Sequence, residues 1–167
     1  MLESLGGITA HPLLVHVPVV IVPLAAIGAL LLVVRPRWLQ AHGLVVTVLA
    51  GVGFLGSVLA ASSGEDLEET RIEAGETISA TLRDHAEMGD SVKLFAGLFF
   101  LLMLGWLLFS RWQARVGAEK ATAVVRKPRL VGVVLASLVV LSGVVATVSV
   151  TLTGHSGAES VWDQDAP

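Results

Sequence analysis

Residues 13–34 read LLVHVPVVIVPLAAIGALLLVV. Apart from His16, Pro18 and Pro23 the run is apolar on every side, and as a helix it is long enough to cross about 30 Å of hydrocarbon. Three further runs share this character: Leu44–Ser62, Val92–Phe109 and Leu130–Thr153. The third is slightly short, with Lys93 near its edge where a long side chain can snorkel. Apolar residues make up 54% of the chain and charged residues 15%, well under the roughly 25% charge of a soluble domain. The mean hydropathy of +0.78 agrees.

The expected fold is therefore all-α, an integral membrane four-helix bundle in a single domain over 1–167. Its spans lie near 13–34, 44–62, 92–109 and 130–153, with an outer segment 63–91 and a cytoplasmic loop 110–129. Four spans place both termini on one side. Arg35 and Arg37 occupy the first turn, and Arg111, Arg115, Lys120, Arg126, Lys127 and Arg129 the last loop, which is eight of the eleven basic residues. By the positive-inside rule these loops are cytoplasmic and the termini outside, as expected of a multi-pass protein of a bacterial cytoplasmic membrane. Trp38, Trp106 and Trp112 then fall at the inner interface, and Trp162 anchors the tail at the outer one. Met1-Leu2-Glu3-Ser4 has no basic region, so the first span is expected to remain uncleaved.

Ile78, Leu82, His85, Gly89, Val92, Ala96 and Phe99 follow a 4-3-4-3 spacing, a helical stripe running from water into the membrane. The third helix is expected to start near Gly75 and the second to continue through Glu69. Together they would form an outward-extended helical hairpin between spans two and three.

This topology gathers four of the five histidines, His11, His16, His85 and His155, at one membrane face. His11 precedes Pro12 at the start of the first helix, where an interfacial polar residue is ordinary. His16 lies a turn deeper, where an imidazole needs a partner and nothing nearby in sequence supplies one. His85 sits on the stripe, above Gly89. His155 follows Gly154, where an imidazole can also cap helix carbonyls. The carboxylates of this face, Glu76 among them, read as a solvated acidic surface.

Imidazole ligates haem iron and several other metals. The chain has no cysteine, which excludes disulfides, thiolate sites and covalent haem attachment. No acid or base lies mid-span, as ion-coupled transport would require. The net charge of −3 suggests no nucleic-acid partner. No nucleophile–base pair or nucleotide motif marks an enzyme. Three readings stand. The first is haem b held by two of the four histidines for electron transfer, His16 or His11 from the first helix paired with His85 or His155. The second is a copper or zinc site using three or four imidazoles. The third is a structural subunit of a membrane complex. Besides the lipid bilayer, an extracytoplasmic redox protein, a second copy or a larger complex are the partners these readings leave open.

His11-Pro12-Leu13-Leu14-Val15-His16-Val17-Pro18 resembles the opening of a bacterial membrane family, domain of unknown function 2231, with Val17 where Phe is usual. Ser63-Gly64-Glu65, His85 before the third span, and the closing Gly154-His155-Ser156-Gly157-Ala158 extend the resemblance over nearly the whole chain. It implies a four-helix membrane domain. Some members are joined to cytochrome c-like or other redox modules, which implies a periplasmic electron-transfer setting.

Overall fold

The computed structural model describes residues 4–5, 8–75, 77–78 and 80–162, with side chains from 11 to 158 except at 76, 79 and 81. Glu76 and the side chain of the expected anchor Trp162 lie outside the described residues. A two-residue antiparallel pair, β1 (Ser4–Leu5) and β2 (Ile8–Thr9), precedes the first helix. Four helices follow: α1 (Ala10–Val34), α2 (Trp38–Glu73), α3 (Ala80–Val124) and α4 (Pro128–Trp162). All four are long and apolar enough to cross a membrane.

Local chemistry sets the ends. Pro12 falls in the first turn of α1 and Pro128 opens α4, both where a missing N–H is harmless. Pro36 follows α1 and disfavours helix at Arg35, and a tight turn returns the chain, with Trp38 N–H donating to the Arg35 carbonyl at 2.8 Å. At the end of α2, Gly75 takes φ +80° and its N–H donates to the Ile72 carbonyl at 3.0 Å, a left-handed cap that glycine adopts without strain. The helix of α3 continues through most of the expected loop 110–129 because that segment is rich in good helix formers. It is broken only at Gly117, at φ 79° and ψ 165°.

Sequential helices pack as neighbours, and α4 closes back on α1, so α1 and α3 face each other across one diagonal of the bundle. Phe99, Met103, Leu107, Val22, Leu32 and Val139 are the largest fully buried side chains. Buried hydroxyls are satisfied within their own helices: Thr47 Oγ1 donates to the Gly43 carbonyl and Ser57 Oγ to the Gly53 carbonyl. The outer surface is the reverse of a soluble protein's. Leu30, Leu55, Leu94, Leu101, Val133 and Leu141 all point outward, a continuous apolar belt that lipid, not water, would cover.

The two hairpins α1–α2 and α3–α4 repeat each other. The five buried positions of α1 (Pro18, Val22, Ala25, Ala29 and Leu32) recur in α3 at a constant displacement of 74 as Val92, Ala96, Phe99, Met103 and Trp106, all buried. Val46, Ala50, Gly53 and Ser57 of α2 recur in α4 at a constant displacement of 93 as Val139, Gly143, Ala146 and Val150, again all buried. Residue types differ but the inward-facing register does not. The bundle thus has an internal pseudo-twofold axis running along its length.

Close packing at the α1–α2 seam depends on Gly56. A Cβ there would stand 2.6 Å from Val17 Cγ1 and 3.3 Å from Pro18 Cδ. Within a membrane, such contacts between small residues hold helices together. Gly56→Leu is expected to destabilise the bundle by about 1–3 kcal/mol, read as a lower unfolding midpoint in detergent.

Candidate functional site

At the end of the bundle where α1 and α3 begin, the four helices line a cavity of about 480 Å³. This lies within the range of about 300–1,000 Å³ usual for cofactor sites. The pseudo-twofold relation governs its walls. His11, Pro12, Val15 and Pro18 from α1 face His85, Ala86, Gly89 and Val92 from α3, and Ala60, Ala61, Gly64 and Glu65 from α2 face Thr153, Gly154, Gly157 and Ala158 from α4. The cavity therefore lies on the axis, with one histidine on either side.

Each histidine is held by the neighbouring helix in the same way. Ser63 Oγ of α2 donates to the Ala60 carbonyl at 2.8 Å. His11 Nδ1 lies 3.0 Å from both that carbonyl and Ser63 Oγ. A carbonyl only accepts, and the serine proton is already placed, so Nδ1–H is the donor to both. Across the axis, Ser156 Oγ donates to the Thr153 carbonyl at 3.0 Å. His85 Nδ1 lies 3.0 Å from Ser156 Oγ, whose proton is on the Thr153 carbonyl. By the same logic Nδ1 carries the proton. Both imidazoles thus leave Nε2 bare, the state in which a ring can accept a hydrogen bond or bind a metal.

Glycine makes room for each ring. A Cβ on Gly64 would stand 3.1 Å from His11 Cε1, and one on Gly157 2.8 Å from His85 Cε1. The rings are half-buried, their centres are 6.3 Å apart and their planes are nearly perpendicular, at 88°.

The four histidines of the expected rim do not converge. His11 and His85 meet; His16 and His155 are exposed and neither lines the cavity. The partner that His16 needs is found within its own helix, where Nδ1–H donates to the Pro12 carbonyl one turn back. Its ring is turned away from the axis. His155 stands one position before Ser156, about 100° around the helix from the residue that meets His85. Among the described residues no group of three or more His, Asp or Glu side chains is placed to hold a metal ion. Of the four expected imidazoles, the structure brings His11 and His85 together and leaves His16 and His155 apart from them.

Lys93, expected to snorkel, is engaged instead with Glu65 at 3.2 Å and Asp90 at 2.7 Å. This ties α2 to α3 beside the cavity, through two carboxylates that stay exposed. Sequence reasoning assigned no role to Ser63, Ser156, Gly64 or Gly157. The available signal was the recurrence of Ser-Gly in α2 and α4 at the same displacement as the buried positions.

A family model described as "Predicted membrane protein (DUF2231)" matches residues 7–166. No curated protein and no solved structure matches the chain.

Proposed function

The chain belongs to the DUF2231 family of predicted membrane proteins, and we propose that it binds one haem b between His11 and His85 and serves electron transfer. The observation that carries this reading is the spacing of the two rings. Two iron–nitrogen bonds of about 2 Å plus the two ring half-widths amount to roughly 6 Å between ring centres, and the rings stand 6.3 Å apart. They come from helices on one diagonal of a four-helix bundle, where cofactor ligands project inward from facing helices. The hydrogen bonds to serine and carbonyl are the kind of support that orients ligating imidazoles.

Two axial imidazoles leave iron no open position, which suits electron transfer rather than oxygen chemistry. The site lies at one end of the bundle, and the charge distribution of the loops supports the outer face as that end. Electrons would then be exchanged with a partner at that face.

The test is spectroscopic. Purified in mild detergent after expression with adequate haem, the protein is expected to show a Soret band, a dithionite-sharpened spectrum of low-spin b type, and one haem per chain by pyridine haemochrome assay. Absence of a Soret band under these conditions overturns the proposal and leaves the histidine pair a structural contact within a membrane subunit.

A further inference from the structure

The strongest unassigned feature is the duplicated cradle around the two rings. Ser63 and Ser156 are related by the same displacement that relates the buried positions of α2 and α4. Each directs its own proton to the carbonyl three residues back and offers its oxygen to an imidazole Nδ1–H. A serine free to rotate could instead donate to a ring nitrogen and favour the opposite tautomer. Here the helix carbonyl claims the proton, so each serine can only accept. One carbonyl thus fixes the serine, and carbonyl and serine together fix the ring.

We infer that Ser63 and Ser156 are positioning residues, a twofold-repeated device that holds His11 and His85 as Nδ1–H tautomers and presents both Nε2 atoms to a ligand on the bundle axis. The inference rests on the proposed haem site for the identity of that ligand, but its tautomer statement stands apart from haem. Because the two cradles are equivalent, the two ligands should be equivalent as well. Neither histidine is a weak or exchangeable sixth ligand. The glycines that follow the serines complete the device, since a side chain at Gly64 or Gly157 would press on Cε1 and turn the ring out of register.

Two measurements on the full-length chain test this. In the first, NMR of isotopically labelled histidine reads the tautomers in the haem-free protein. His11 and His85 are expected as Nδ1–H, and finding either as Nε2–H overturns the inference whether or not haem binds. In the second, haem affinity and midpoint potential are compared for wild type, Ser63→Ala, Ser156→Ala and Ser156→Thr. Each alanine variant should lose about tenfold in haem affinity, at the low end for a group supporting a ligand. The two losses should be similar and accompanied by a shifted potential, which a merely structural role would not move. Ser156→Thr keeps the hydroxyl and should stay within about twofold of wild type. Unchanged affinity and potential in both alanine variants of a haem-binding protein overturn the serine role while leaving the haem site standing. A wild-type protein without haem overturns the haem site, and the tautomer measurement then decides the inference alone.

Discussion

His11→Ala and His85→Ala are each expected to abolish the low-spin haem spectrum and to lower haem affinity by more than about 100-fold, beyond the usual effect of losing a supporting group. His16→Ala and His155→Ala are expected to leave the spectrum unchanged. The contrast follows from azimuth, not depth. His16 lies between His11 and the core along α1, yet its ring is directed away from the axis and bonded to its own helix. The pseudo-twofold relation adds that His11→Ala and His85→Ala should fail alike, since each removes one of two rings held by equivalent partners. Soluble imidazole added to either variant should restore the spectrum by occupying the space left behind. A full-strength spectrum in His11→Ala or His85→Ala, or its loss in His16→Ala, would remove the pair from the site.

Gly89→Leu is expected to empty the site without unfolding the protein. Gly89 lines the cavity, and a Cβ there would meet nothing within 4 Å. Its counterpart across the axis is Val15, so the cavity is enlarged on the α3 side by the absence of a side chain. A leucine would project into that space and exclude a planar macrocycle by overlap, with haem content falling at least about tenfold, or about 1.4 kcal/mol at 25 °C. Gly105→Leu is the control. It lies on the same helix with equally open surroundings, but away from the cavity. Equal haem content in the two variants, with thermal stability matched, would show that the cavity is not where haem sits.

The four spans were legible because lipid demands long apolar segments, and the runs around Ala25, Gly53, Met103 and Val139 stand out on hydropathy alone. The stripe from Leu82 to Phe99 was legible for a further reason: polar residues on the other faces of early α3 give it contrast, and the structure turns that stripe to the cavity and core. The same spacing applied to α1 runs His11, Val15, Pro18, Val22, Ala25, Ala29, Leu32 and selects His11 over His16. In α1, however, valine and leucine occupy every face, so hydropathy carries no phase. Only register with α3 supplies one. The serine cradles were illegible for another reason. Ser63 and His11 are separated by a hairpin, and which serine meets which ring is decided by helix packing rather than by any local pattern. The Ser-Gly recurrence was visible, but its meaning required the axis.

That axis has a thermodynamic consequence. Each hairpin carries one imidazole, its own supporting serine and its own glycine, so neither half alone presents a two-point grip. A molecule grasped by both rings would fasten α1–α2 to α3–α4 at the cavity end and act as a clasp on the bundle. Whatever it gains by binding the assembled form is added to the stability of assembly, about 4 kcal/mol at a thousandfold excess over its dissociation constant. Occupancy and folding are then two readings of one equilibrium.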